Sequence, residues 1–191
     1  MKWRLATCLL ILATFGGVYG QEHSSKPSVP TPPRANGTRT PDPAGWVNFD
    51  SDEGHFSVLV PETPEDKTET VQSAHGPYTT HLFIVRDTNN VYLIGWVDYD
   101  PSFNFNRQAE LEANRDNFVK GISATLLNTR PTVIDGYSAI EFAAETADRT
   151  FFSRVYMVGR RPYQIVVGYP KGEERPSEVL KFLNSFKVRL P

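Results

Sequence analysis

Two carboxylates close together are the first candidate for chemistry in this chain. Asp98 and Asp100 stand at the end of an apolar stretch, with Pro101, Phe103 and Phe105 just beyond them. Carboxyl groups about 5–10 Å apart across a cleft can serve as acid and base in glycoside hydrolysis. Asp and Pro also end strands in ordinary solvated turns. The pair is therefore a candidate site, with a structural turn as the alternative.

Histidine is the second candidate, because imidazole binds metals and transfers protons near neutral pH. The four histidines are His23, His55, His75 and His81. His75 and His81 flank a Gly-Pro turn that can bring them together. A zinc site needs a third protein ligand, and no HExxH or comparable spacing occurs. We expect no metal and no cofactor, and His81 stays a candidate residue of a possible hydrolase site.

Other catalytic motifs are missing. The sequence has no G-x-S-x-G turn for a serine nucleophile, no Walker sequence and no GxGxxG that opens a helix after a strand. The sole cysteine, Cys8, falls in the N-terminal apolar stretch. The rival hypothesis is a hydrolase with a site built from Asp98, Asp100, Arg115 or His81, which the acid-rich and aromatic-flanked strand end suggests.

Charge is distributed unevenly along the chain. Residues 44–148 contain 6 basic and 17 acidic side chains, whereas residues 149–191 contain 9 basic and 3 acidic ones. We expect Arg149, Arg154, Arg160 and Arg161 around one hairpin. That hairpin either recognises an anionic partner or pairs with the acidic strands of the same chain. The formal net charge of −2, without a long run of like charge, argues against nucleic acid as a partner.

Alternating apolar residues and turn signals predict the elements that position these residues. We expect strands over 55–60, 67–74, 78–85, 91–97, 132–134, 137–145, 150–158 and 163–169. The spacing of Leu111, Phe118, Ile122 and Leu126 predicts an amphipathic helix over 107–127, with Glu110 facing outward. A second helix opens at 176–177. It is expected to turn one apolar face inward, made of Val179, Leu180, Leu183 and Phe186.

The N-terminal segment indicates where the protein works. Residues 1–20 combine Lys2 and Arg4, an apolar run over 5–15 and a small-residue end, which is typical of a secretory signal peptide. A membrane-spanning helix needs about 18 apolar residues or more, and this run is shorter. We expect cleavage after Gly20, with retention as an anchor as the alternative. Residues 21–43 are rich in proline and predict a disordered linker.

Strands in two groups, each followed by one amphipathic helix, predict an α+β domain over residues 44–191. The stretches 163–167 and 179–187 resemble the closing strand and helix of PsbP/Mog1-like domains, and 56–61 resembles their opening strand. The stretches 96–99, 115–121 and 148–151 resemble secreted bacterial proteins of the same type. The resemblance implies an α/β/α sandwich around a large antiparallel sheet. PsbP proteins assist photosystem assembly and Mog1 proteins bind a small GTPase, but no residue here matches a functional motif of either.

These observations favour a non-catalytic binding or assembly module that is exported to the periplasm or the extracellular space. Its partner would be a protein or small ligand of the cell envelope, with membrane contact only through an uncleaved signal segment. The alternatives are an extracytoplasmic hydrolase and a small-ligand sensor, each with a site near the strand end at Asp98. The candidate ligand-binding residues are Asp98, Asp100, Arg115, Arg149 and Arg154.

Overall fold

A computed structural model describes residues 45–73, 76–104, 106–174 and 177–189. The predicted signal peptide over 1–20, the predicted linker over 21–43, His75 and Phe105 lie outside these residues. Within them, no helix has the length and apolar character needed to cross a bilayer.

The described chain runs through ten strands and two helices. The strands are β1 (Val47–Ser51), β2 (Phe56–Val60), β3 (Glu65–Ser73), β4 (Gly76–Arg86), β5 (Val91–Tyr99), β6 (Thr125–Ile134), β7 (Tyr137–Glu145), β8 (Arg149–Val158), β9 (Arg161–Pro170) and β10 (Lys187–Val188). The helices are α1 (Arg107–Gly121) and α2 (Ser177–Ser185).

Seven of the strands form one antiparallel sheet in the order β3-β4-β5-β9-β8-β7-β6. Most neighbours in this sheet are also neighbours in sequence, because short turns return the chain directly. The turn between β6 and β7 is an example: Asp135 and Gly136 have φ angles of 51° and 82°. Two positive φ angles at the centre of a two-residue hairpin favour an Asp-Gly pair.

Each face of the large sheet has its own cover. On one face, α1 packs on a cluster that includes Phe118, Phe142 and Val166. On the other, α2 and a small sheet of order β1-β2-β10 bury a cluster that includes Phe56 and Trp96. The predicted α+β class with a large antiparallel sheet and two helices is confirmed. The small sheet is an additional feature that the strand pattern did not predict.

The first helix is shorter than predicted. It ends at Gly121, and β6 begins at Thr125, so the predicted helical position Leu126 lies in a strand. Ser123 has a φ of 53°, and its N–H reaches back to the carbonyl of Lys120 at 3.1 Å, which ends the helix. The outward orientation predicted for Glu110 is also wrong, since Glu110 is buried.

The second helix turns a slightly different face inward. It buries Val179, Phe182 and Leu183, whereas Leu180 is 40% exposed. Residues three and four positions apart share a helix face, and Leu180 lies about 100° around the axis from Val179. Phe186 is buried as expected, although it follows the last residue of the helix.

Candidate functional site

A row of four rings crosses one end of the large sheet on the face covered by α2. Trp96 of β5 lies directly opposite His81 of β4 on one side and Tyr163 of β9 on the other. Tyr156 of β8 lies opposite Tyr163 and continues the row. All four residues are buried. Antiparallel pairing places opposite residues on the same face, which is why residues far apart in sequence form one row.

His81 is held between two carboxylates. Its Nε2 lies 3.3 Å from Oδ2 of Asp98, and its Nδ1 lies 3.8 Å from Oε1 of Glu53. Nδ1 is also 3.4 Å from the Thr68 hydroxyl. The imidazole stacks on the Trp96 indole, and the residue is 3% exposed. The ring is therefore enclosed by neighbouring described residues of the same chain.

Asp98 is the most heavily bonded carboxylate of this region. It accepts hydrogen bonds from Nε of Arg161 at 2.6 Å and from Nε1 of Trp96 at 3.2 Å. Burial works to raise the pKa of Asp98, but the hydrogen bond from His81, the Arg161 charge and the bond from Trp96 together lower it below its ordinary value. Asp98 is thus an anion at neutral pH that joins three strands.

The same cluster fastens the turn between β1 and β2 to the large sheet. Arg161 donates to the Glu53 carbonyl at 3.0 Å, and the Tyr163 hydroxyl donates to the Gly54 carbonyl at 2.8 Å. Arg161 also lies 3.4 Å from the Tyr163 hydroxyl. The bonds to the Glu53 and Gly54 carbonyls each span more than 100 residues of sequence. Their effect is to hold the small sheet over the aromatic row.

The side chains of Thr68, His81 and Asp98 are in contact in the order of a hydroxyl nucleophile, a base and a carboxylate that orients the base. Nucleophilic catalysis needs a hydroxyl whose proton passes to the base. Here the Thr68 hydroxyl donates to Asp66 at 3.1 Å, and the imidazole is enclosed by Trp96 and the neighbouring strands. The described residues also contain no group of three or more His, Cys, Asp or Glu side chains arranged to hold a metal ion. The contacts among Thr68, His81 and Asp98 therefore stabilise the packing of β3, β4 and β5.

A cavity of about 290 Å³ lies at the far end of the aromatic row. Its lining comes from the β6–β7 turn and β7, from β8 and from the chain after α2. The lining residues are Asp135, Tyr137, Tyr156, Phe186 and Val188. At its edge, Asp135 forms an ion pair with Nζ of Lys187 at 2.9 Å. None of the candidate catalytic or ligand-binding residues named from the sequence belongs to this lining.

Asp98 and Asp100 do not face each other as an acid–base pair. Asp98 points to His81 and Arg161, whereas Asp100 accepts from the backbone N–H of Ser102 at 2.9 Å and from the Ser102 hydroxyl. These hydrogen bonds from Ser102 lower the pKa of Asp100. Asp100 thus behaves as a turn residue, the structural alternative stated for this pair.

The candidate arginines lie apart and are bonded internally. Arg115 pairs with Asp116 at 2.7 Å, and Arg149 donates to the Asn89 carbonyl at 2.9 Å. Arg154 pairs with Glu141 at 2.7 Å and donates to the Leu183 carbonyl at 2.8 Å, which ties the large sheet to α2.

The four arginines predicted to surround one hairpin do belong to the β8–β9 hairpin, but they do not form one patch. Arg149 lies at the open end of the β8–β9 hairpin, and Arg160 and Arg161 lie at its turn. Arg160 donates to the Asp100 carbonyl at 3.3 Å, and Arg161 binds Asp98. Arg154 lies midway along the ten-residue strand β8 between these two ends and is paired with Glu141, so the four arginines do not form a single basic surface.

Exposed apolar side chains concentrate on one edge of the large sheet. Four large apolar side chains stand out as exposed among the described residues, and three of them belong to β6: Leu126 at 36%, Leu127 at 50% and Val133 at 68%. Among the described strands, β6 pairs only with β7, so its other side is an open edge of the described sheet. Residues 125–131 are all exposed. An open edge with apolar side chains is a surface on which another chain can pair.

The described sheet and helices define an α+β protein with a large antiparallel sheet. Among solved structures, the chain is similar to the solution structure of cyanobacterial PsbP (CyanoP) from Synechocystis sp. PCC 6803. The superposition covers 76% of this chain and 93% of that chain, with a TM-score of 0.49 and 11% sequence identity. No family model and no curated protein matches the sequence.

Several residues of this region escaped the sequence analysis. Glu53 precedes a strand as an ordinary turn residue, and its place beside His81 depends on contacts between distant segments. In the sequence, Tyr156 and Phe186 look like core residues. They are buried, and they also line the cavity. One signal was available in the sequence: an Asp-Gly pair is typical of a tight hairpin turn, and the hairpin at Asp135 and Gly136 places the Asp135 carboxylate at the cavity.

Proposed function

We propose that this chain is a non-catalytic binding module that acts outside the cytoplasm and holds a protein partner along the edge strand β6. The observation that carries the proposal is the exposure of β6. It is the edge of a seven-stranded sheet, it is ten residues long, and it presents Leu126, Leu127 and Val133 to solvent.

Natural proteins usually protect such an edge with charges, proline or a covering element. In β6, Pro131 and Arg130 give partial protection. Arg130 is drawn towards Glu141 of the neighbouring strand, so its charge is partly offset within the sheet. An extended segment of a partner can add to such an edge by main-chain hydrogen bonds, while apolar side chains supply specificity.

The internal bonding of the polar candidates supports a non-catalytic role. Asp98, Arg154 and Arg161 are bound to other strands or to α2 of the same chain, and His81 is enclosed. A catalytic group has to reach a substrate. These charged and titratable side chains thus stabilise the fold, and the exposed edge of β6 favours a binding role.

Site-specific photocrosslinking tests this proposal. Benzoylphenylalanine is placed at Val133 or, as a matched control, at Leu180, an exposed leucine on α2, and the full chain is made in its native cells. A discrete crosslinked partner at position 133 that is absent at position 180 is the expected result. The Leu127→Ser variant of the position-133 chain should lose the product, whereas Leu180→Ser should keep it. Equal crosslinking at both positions would contradict the role of β6.

Export and the lack of catalysis are tested separately. Mass spectrometry of the protein recovered outside the cytoplasm should find Gln21 as the new N-terminus. A chain that retains residues 1–20 in the cytoplasm would contradict export. A hydrolase substrate panel should give no turnover, and turnover that is lost in both Asp98→Asn and His81→Ala would replace the binding proposal with an enzymatic one.

A further inference from the structure

The cavity at the end of the aromatic row has features that the β6 edge does not use. We infer that it is a binding site for a small organic cation, such as a quaternary ammonium group. The inference rests on three observations: aromatic side chains line the cavity, a carboxylate lies at its edge, and a cation of the same chain already pairs with that carboxylate.

The aromatic wall is held firmly in place. The rings of Tyr156 and Phe186 lie 5.4 Å apart at an interplanar angle of 32°. Phe186 also contacts Tyr163 at 5.9 Å and Phe56 at 5.3 Å between centroids. Tyr156 and Phe186 are each 3% exposed. Rings fixed by such packing need little ordering when a ligand binds, which favours affinity.

Aromatic faces carry the negative part of the ring quadrupole and attract cations, and cages of such rings recognise quaternary ammonium ligands. Tyr137 adds a third aromatic side chain to the lining. Burial raises the pKa of Tyr156, so its phenol stays neutral at physiological pH. Arg154, the cation beside Tyr156, is paired with Glu141 and bonded to the Leu183 carbonyl, which offsets its charge.

Asp135 supplies the charge that distinguishes a cation from a neutral ligand. The left-handed Asp135-Gly136 turn fixes the position of its backbone, and its carboxylate faces the ammonium of Lys187 at 2.9 Å. The pair with Lys187 shows that the Asp135 carboxylate can take a cationic partner. Both side chains of the pair are about half exposed, so an incoming cation can compete for the carboxylate. An anionic ligand would meet the carboxylate unfavourably.

Titration of the full chain with choline, followed by isothermal calorimetry and by the NMR signals of Tyr137, tests the inference. Asp135→Asn should weaken binding by about fivefold or more, since it removes the carboxylate and asparagine also tolerates the left-handed turn. Lys187→Gln should strengthen binding, because it removes the competing ammonium. Asp148→Asn, a carboxylate change in the β7–β8 turn at the opposite end of the sheet, is the matched control and should leave affinity unchanged.

The neutral isostere 3,3-dimethylbutanol separates a cation site from a merely apolar one. It should bind much more weakly than choline, and its affinity should not respond to Asp135→Asn. The inference is overturned if choline does not bind, if the isostere binds equally well, or if Asp135→Asn and Lys187→Gln change affinity in the same direction.

Discussion

The imidazole of His81 lies flat on the indole of Trp96, with ring centroids 4.3 Å apart and an angle of 2° between the planes. The two residues are directly opposite on β4 and β5, so the sheet register itself sets the stack. Stacking directs the ring nitrogens sideways, one towards Asp98 and the other towards Glu53. A single ring thus connects the main sheet to the turn that leads into β2.

Asp98 is expected to be the most sensitive member of this cluster. Asp98→Asn should lower the free energy of unfolding at pH 7 by about 1–3 kcal/mol, because Arg161 and His81 lose a charged acceptor in a half-buried setting. The pKa of Asp98 is depressed in the folded state. Its contribution is therefore present above the unfolded pKa of about 4 and is lost as the pH falls through the folded value.

Urea unfolding of the wild type and of Asp98→Asn at pH 7 and at pH 3 measures this dependence. The difference between the two proteins should shrink at pH 3. Asp52→Asn changes a fully exposed carboxylate of the adjacent turn and should leave the free energy of unfolding nearly unchanged at either pH. A difference of equal size at both pH values would show that the Asp98 charge is not involved.

Elements with strong local patterns could be predicted from the sequence. Features that depend on contacts between distant segments could not. Alternation and turn residues located β7, β8 and β9 closely. β1 escaped because Val47–Ser51 mixes polar and apolar residues, and β10 has only two residues. Glu110 was expected on the outer face from helical spacing alone. It is buried because its partner Tyr99, at the end of β5, offers a hydroxyl to its carboxylate.

The buried Glu110 predicts an opposite pH dependence to that of Asp98. Burial raises the pKa of Glu110, although hydrogen bonds from Tyr99 and Asn114 work to lower it. Since its folded pKa is raised, stability is highest below the unfolded pKa and falls as the pH rises through the folded one. Glu110→Gln should remove this decline and be at least as stable as the wild type at pH 7.

Glu110→Ala should instead cost about 1–3 kcal/mol, because Asn114 and Tyr99 lose their acceptor. Asn114 donates to the Glu110 side chain at 2.9 Å and is buried. Glu112→Gln, on the exposed side of the same helix, is the control. Thermal unfolding from pH 4 to pH 8 provides the comparison, and a Glu110→Gln variant that still loses stability as the pH rises would contradict the assignment.

Ser185 is expected to hold α2 on the small sheet. Its hydroxyl accepts from the backbone N–H of Leu59 at 3.0 Å and donates to the Phe182 carbonyl at 2.8 Å. Ser185→Ala should cost about 1–2 kcal/mol, because it leaves the N–H of Leu59 without this partner. Hydrogen exchange at Leu59 should accelerate in this variant. Ser177→Ala, whose hydroxyl makes an exposed hydrogen bond to Glu178 at the start of the same helix, should leave that exchange unchanged.

Gly168 is required by close approach to its two neighbouring strands. It lies opposite Phe151 of β8 and Val91 of β5, and a Cβ added there would come within 2.5 Å of the Phe151 ring and 2.9 Å of a Val91 methyl. Phe151 is buried and packs on Phe118, so its ring has little room to move. Gly168→Ala should cost about 1–3 kcal/mol through overpacking. Phe151→Leu makes room for the added methyl group. By urea unfolding, the double variant should therefore lose less stability than the sum of the two single losses. Additive losses would show that the Phe151 ring is not the obstacle.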